Sequence, residues 1–314
     1  MRTWTVLLTL LTACGNDGSG GGNADAPPTG DAPVTTDAFQ PPDGYTKLIS
    51  RTWSLSAGAT DTYRCVRHTV SEDTYITAID AQAPAGTHHT VLSISDGNTA
   101  GPDGDYNCSV GELGMIMLYA SGVGTSPLTF PTDVGIKVSA GQQIHLNLHL
   151  YNVTDGTLTG ESGIWIKSQP TPPPTLAEMV FSGTTNIILP ASQNPQPQTV
   201  TGTCTAQNDF DLFAVWPHMH QIARHQKVEI IRNGTPEVIH DLDYDFNEQY
   251  YFLKSPVIHV NMGDQIRTSC TYLNDTGQLV TVGDGSNKEM CFAGLYRYPA
   301  RNAGIFECTT GPVL

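Results

Sequence analysis

The residues of this chain most able to do chemistry are its histidines, and they come in groups. His218-Met219-His220 is an H-x-H segment. On a β-strand it would direct both imidazoles to one side, with Cα atoms about 7 Å apart, which suits a grip on one metal ion. Trp216-Pro217 precedes the pair and would shield it. His145-x-Asn147-x-His149 puts three polar side chains on one face of a strand, a face that could equally be solvated. His88-His89 are adjacent in GTHHTVLSI. Consecutive strand residues point to opposite faces, so the two reach one ion only at a strand start, a bulge or a bend. Pro84 and Gly86 just upstream suit a strand start. Met290, in Lys288-Glu289-Met290-Cys291, reads as packing by itself. Beside two histidines its thioether becomes a soft ligand, a set that suits copper rather than zinc or magnesium. Imidazole binds metal only when neutral, so binding should weaken below about pH 6. His68, His225, His240 and His259 read as structural or surface residues.

These groups must be positioned by strands. Period-two alternation with β-branched and aromatic residues recurs throughout, most clearly in Gln143-Ile144-His145-Leu146-Asn147-Leu148-His149-Leu150. Tyr75 to Ile79 alternates in the same way, and the Lys227 to Arg232 segment ends in the hairpin signal Asn233-Gly234. Long capped helical periods are absent. The pattern predicts an all-β chain of two tandem antiparallel β-sandwich domains. The stretch QPTPPPTL at 169–176 is a stiff extended joint, which places the domains at 45–168 and 177–314.

The 314 residues carry 15 Lys+Arg against 30 Asp+Glu, a net charge of −15. That balance argues against nucleic acid as a partner, because phosphate binding needs a basic face. No apolar run reaches the ~20 residues of a membrane-spanning helix. At the N-terminus, Arg2 and an apolar stretch from Trp4 to Leu11 form a secretory signal over 1–14. It ends in Leu11-Thr12-Ala13-Cys14, which resembles a bacterial lipobox with Cys14 as the acylated residue. Residues 15–44 are rich in Gly, Pro and Asp and contain no Lys or Arg, the composition of a disordered tether. The expectation is an exported, monomeric lipoprotein held by its lipid at the bacterial cell envelope, at the outer membrane. Apart from Cys14, six cysteines remain: Cys65, Cys108, Cys204, Cys270, Cys291 and Cys308. An even set in an exported chain predicts three disulfides. If each domain keeps its own bridges, Cys65 pairs with Cys108, and three choices remain for the other four.

Taken together, five short segments resemble the copper type II, ascorbate-dependent monooxygenases, which include the peptidylglycine α-hydroxylating and dopamine β-monooxygenases. In order they are Asp61-Thr62-Tyr63-Arg64-Cys65, His88-His89, Leu148-His149-Leu150-Tyr151-Asn152, His218-Met219-His220 with Arg224 and Lys227-Val228, and Glu289-Met290-Cys291 followed by Tyr298-Pro299. The resemblance implies jelly-roll-like sandwiches and two coppers per chain. An electron-transfer copper would be held by His88, His89 and His149, and an oxygen-activating copper by His218, His220 and Met290. It further implies the pairs Cys204–Cys308 and Cys270–Cys291. The implied reaction hydroxylates a C–H bond of a small or peptide-like substrate. Dioxygen supplies one oxygen to the product and one to water, with ascorbate or an equivalent donating two electrons. The alternative is a copper-binding or copper-storing lipoprotein of the same fold without turnover.

The sequence also departs from the family pattern. The peptidylglycine branch grips its substrate carboxylate with an Arg two residues before the H-x-H and a Tyr four after the Met. Trp216 and Gly294 stand there instead, so that clamp is lost and a less charged or an aromatic substrate is expected, with Trp216 and Phe292 as an apolar wall. Tyr63 and Asn147 fall where the family has polar groups near its first copper. His145 is a spare imidazole that could replace His149, and only the L-H-L-Y-N match favours His149.

Overall fold

The computed structural model describes residues 41–95, 101–109, 116–122, 125–246, 248–302 and 304–312. Among these residues every regular element is a strand, as the alternating pattern predicts. Cys14, the signal segment and nearly all of the tether lie outside the described residues.

The first lobe pairs two sheets. One runs in the order Gly104–Asn107, Thr62–Thr69, Gln143–Leu150, Thr87–Ile94, Ile116–Ser121. The other runs Thr46–Leu55, Leu158–Gln169, Thr74–Gln82, Val134–Val138, Thr175–Leu176, with Leu128–Thr129 beside Thr74–Gln82. Ile144, Leu146, Leu148 and Leu150 alternate inward and are fully buried, packed in one cluster with Ile76, Ile79 and Ile164 of the opposite sheet. The same alternation turns His145, Asn147 and His149 to the other face.

The second lobe places Phe252–Val260, Phe210–His218, Cys291–Tyr298, Glu178–Thr184 and Cys308–Thr310 in one sheet. Gln198–Thr205, Gln265–Tyr272, Ala223–Arg232 and Thr235–Asp243 form the other. The sheet containing Phe210–His218 is covered on both sides. Leu212, Val215 and Leu295 face the lobe's own interior with Val228 and Ile230. Phe213, Trp216, Phe292 and Tyr296 join the first lobe's apolar cluster instead. Burial on both faces explains the unbroken apolar run Leu212 to Trp216. Phe213 packs on Phe130 of the first lobe at 5.2 Å between ring centroids. The stretch read as a joint is itself tied down, since Thr175 and Leu176 pair in parallel with Val134 and Gly135. The two sandwiches therefore share one continuous core.

Three disulfides staple the fold: Cys65–Cys108, Cys204–Cys308 and Cys270–Cys291, with Cα separations of 5.8, 5.1 and 5.7 Å. The pairing expected for one bridge per early lobe and the two implied by the family resemblance are all present.

Candidate metal centres

His88, His89 and His149 converge. One nitrogen from each ring lies within 4.8 Å of the others, the spacing of groups able to hold one ion. The difficulty of two adjacent strand residues facing one point is solved by an irregularity. Thr87–Ile94 pairs with Gln143–Leu150, but its register shifts between Thr87 and His89, at the start of the strand. His89 then stands directly opposite His149, and the His88 and His89 rings meet at 4.0 Å. Their Nδ1 atoms are 3.1 Å apart. His149 donates its Nε2–H to Asp61 Oδ1 at 3.0 Å, which leaves Nδ1 as its free ligand atom. Tyr63, its neighbour on the other strand, stacks flat on the ring at 4.6 Å.

His145 does not join them. It lies two residues beyond Asn147 on the same face, about 13 Å along the strand from His149. It is buried with Nε2 on the Tyr106 hydroxyl at 2.6 Å and Nδ1 near Ser93. Asn147, on the same face as His149, donates to the Ser109 carbonyl at 3.1 Å, beside the Cys65–Cys108 bridge.

In the second lobe the His218 and His220 rings stand 5.3 Å apart at the end of Phe210–His218. Both rings are anchored through Nδ1, His218 to Gln249 Oε1 at 3.1 Å and His220 to the Lys288 carbonyl at 3.0 Å. Each Nδ1–H donates, so each Nε2 is bare. The backbone between them is clamped as well. The Tyr244 hydroxyl donates to the Met219 carbonyl at 2.7 Å and accepts the Met219 N–H at 3.1 Å. The buried Glu289 carboxylate accepts the N–H of His220 and of Ile222, each at 2.9 Å. Met290 is the next residue, and its carbonyl accepts the Tyr272 hydroxyl at 2.6 Å. Cys291 follows, bridged to Cys270. The H-x-H turn and the methionine are thereby tied together through one carboxylate.

Trp216 stacks on His218 at 4.9 Å. It sits opposite Gly294 in the neighbouring strand, and a Cβ on Gly294 would come within 3.1 Å of its ring. The two departures from the family pattern are thus one change, an indole occupying the room of the missing side chain. Phe292 stacks on Phe181 at 5.0 Å and continues this apolar wall into the core.

Two residues that carried no signal in the sequence lie between the groups. Phe246 is 5.1 Å from the rings of both His88 and His89 and 6.0 Å from His220. Gln249, 2 % exposed, reaches His89 Nε2 with its amide nitrogen at 2.8 Å while its oxygen holds His218. Nothing in the spacing of YDFNEQYY marks either one. Beside them opens a cavity of about 630 Å³, lined by Asp61, His88 and His149 of the first lobe and Gln221, Arg224 and Phe246 of the second.

Burial sets the charge of these rings. It lowers the pKa of His89 well below the ordinary imidazole value, helped by His88, His149, His218 and His220. Burial, then His88, lowers that of His149 against the opposing pull of Asp61. Burial and His220 bring His218 down to about 3, and burial lowers His220. All four are neutral at neutral pH, the form that binds metal. The pH limit of about 6 expected from ordinary imidazoles accordingly moves downward.

Residues 175–310 match the family "Copper type II ascorbate-dependent monooxygenase, C-terminal domain", a span that contains His218, His220 and Met290. The second lobe thus matches the C-terminal domain of the copper type II ascorbate-dependent monooxygenases. The dopamine beta-hydroxylase of Rattus norvegicus is 25% identical over 201 residues, covering 58% of this chain and 32% of that protein. The MOXD1 homolog 2 of Drosophila melanogaster is 28% identical over 116 residues, 36% of this chain and 15% of that protein. The chain thus spans a third or less of these relatives. Among solved structures, the major capsid protein P2 from Bacteriophage PM2 aligns with 82% of this chain and 100% of its own, at 10% identity and a TM-score of 0.34, too loose a likeness to bear on function.

Proposed function

We propose that this chain is a copper-dependent monooxygenase that hydroxylates a C–H bond of a small-molecule substrate with dioxygen and an external reductant such as ascorbate. His88, His89 and His149 would hold one copper, and His218, His220 and Met290 the other. The observation that carries the reading is the convergence of three imidazoles in the first lobe beside the H-x-H of the family-matched second lobe. The donor sets fit the metal. Neutral imidazole suits both copper oxidation states, and a thioether beside two imidazoles favours the reduced one. Copper held there would store one electron at each site and activate dioxygen at the second.

The chain's own residues supply position and environment. Asp61 and the Lys288 carbonyl take the ring nitrogen that faces away from the site, which fixes the ligand atom of His149 and of His220. Glu289 and Tyr244 hold the H-x-H backbone, so both imidazoles keep their spacing without rearrangement. Trp216 and Phe292 exclude water from beneath His218. With an indole where the family's arginine stands, the wall favours an apolar or aromatic group over a carboxylate. The cavity beside Phe246 would admit the substrate. As part of the same proposal the chain is exported and lipid-anchored through Cys14, and loss of membrane association in Cys14→Ala would test that.

The test is oxygen uptake by copper-loaded protein with ascorbate and a panel of aromatic amines, glycine-extended peptides and lipidic compounds. Two coppers per chain and substrate-dependent uptake, abolished in His220→Ala, are expected. Two tightly held coppers with no substrate-dependent uptake would favour a storage protein instead.

A further inference from the structure

The bridge through Gln249 has a donor end and an acceptor end, and this asymmetry matters for what the two sites can do together. Two bare nitrogens repel at 3.1 Å, so one of the facing Nδ1 atoms of His88 and His89 carries a proton. Gln249 decides which. Its amide N–H donates to His89 Nε2 at 2.8 Å, which leaves the His89 proton on Nδ1, donated to His88 Nδ1. On the other side the His218 Nδ1–H donates to Gln249 Oε1 at 3.1 Å, which leaves His218 Nε2 bare. The bridge as built thus leaves His218 Nε2 without a proton and places a proton on His89 Nδ1, the nitrogen that faces His88.

An ion held by His89 Nδ1 requires that proton on Nε2, where it would point at an amide N–H. Turning the amide over relieves His89 but gives up the amide N–H donated to the Phe246 carbonyl at 3.3 Å, and it moves the conflict to His218, whose Nδ1 would then have to accept and whose Nε2 would be protonated. One amide in this position has one acceptor for two imidazole N–H groups. Gln249 is buried, so water cannot substitute for the missing partner while the bridge is closed.

We propose that Gln249 is a positioning residue that couples the two sites, so that an ion held at one weakens binding at the other until the Gln249 bridge opens. The inference rests on the proposed ligand sets and adds to them a linkage that neither set contains alone. A second ion then binds only by breaking one of the amide's two contacts to imidazole, a loss of about one buried hydrogen bond and about 10-fold in affinity.

A thermodynamic cycle on the full chain measures this. Copper(I) is titrated anaerobically against a chromophoric chelator in four proteins: wild type, His149→Ala, His220→Ala and the double variant as the blank. Without coupling, the product of the two single-site affinities equals the overall two-ion affinity of wild type. The expected result is that the product exceeds it by about 10-fold. The same cycle is repeated with Gln249→Glu, whose carboxylate accepts from both rings, and with Gln249→Leu, which removes the bridge. In both backgrounds the ratio should fall to about one. A ratio near one in wild type, or a 10-fold ratio that persists in Gln249→Leu and Gln249→Glu, would overturn the proposal while leaving two copper sites in place. Failure of wild type to bind two ions would instead remove the functional reading on which it rests.

Discussion

Removing one buried oxygen should loosen the whole junction between the lobes. Ile116–Ser121 is an edge strand of its sheet, so the outward N–H and C=O of Ala120 have no strand partner. The Tyr251 hydroxyl, from the second lobe, supplies both. It donates to the Ala120 carbonyl at 2.6 Å and accepts the Ala120 N–H at 2.9 Å, while its ring stacks on Tyr119 at 5.0 Å. Tyr251→Phe keeps the ring and removes both bonds, leaving a donor and an acceptor buried without partners. At about 1–3 kcal/mol for each stranded group, the expected loss is about 3 kcal/mol. For a folded body of this size that corresponds to about 6–12 °C in melting temperature. Differential scanning calorimetry of the metal-free chain measures it. Tyr296→Phe serves as the comparison, because it removes the bond to the Leu118 carbonyl at 3.0 Å and only a long contact to the Tyr251 hydroxyl at 3.4 Å, and should cost about half as much. Melting of Tyr251→Phe within about 1 °C of wild type, or a larger effect in Tyr296→Phe, would refute the account of the junction.

His149→Ala should reduce bound copper from two ions to one, whereas His145→Ala should keep both and lose only about 1 kcal/mol through its bond to Tyr106; metal analysis after dialysis distinguishes them. Glu289→Ala leaves the N–H groups of His220 and Ile222 without their acceptor, so second-site copper should weaken at least 10-fold while the first site is unchanged, read by chelator competition. His240, buried against Phe252, has its pKa lowered by burial and by Lys254 to about 4. The unfolded chain therefore takes up that proton first, and about 3 kcal/mol of stability is lost as pH falls from 6.5 to 4; His240→Gln should remove that part of the pH dependence in urea titrations. Copper binding at the second site should persist below pH 6, because burial holds His218 near 3 and lowers His220; a midpoint near 6 in a pH-dependent dialysis series would contradict the burial argument.

The sequence carried the alternation of Gln143–Leu150, the H-x-H and the five family segments, because each is a local pattern whose period or spacing survives in one dimension. It left His145 and His149 equivalent, since a period of two places both on one face. Only the third dimension separates them, by giving His145 to Tyr106 and His149 to the His88–His89 pair. The bulge at His88 was legible only as a requirement, from two adjacent residues that had to face one point. Gln249 and Phe246 were not legible at all, because their role comes from a loop of one lobe entering the other, and no periodicity records that. The shared core of the two lobes and the one glutamine that spans from His89 to His218 leave no trace in the sequence pattern either. Trp216 and Gly294 were each visible as departures, but their being opposite each other follows from strand register alone.

Burying imidazoles between two lobes is tolerable only when they are neutral, and neutrality is also what a metal ligand needs, so here stability and chemistry favour the same charge state. They differ only over which nitrogen keeps the proton. His149, His218 and His220 each give their outer N–H to an acceptor, Asp61, Gln249 Oε1 and the Lys288 carbonyl in turn, so the fold itself selects the tautomer that exposes a ligand atom. His89 meets a donor, the Gln249 amide. A local choice that disagrees with its neighbours is expected where function requires two arrangements of one site. That conflict lies on a side chain that touches both halves of the proposed machinery.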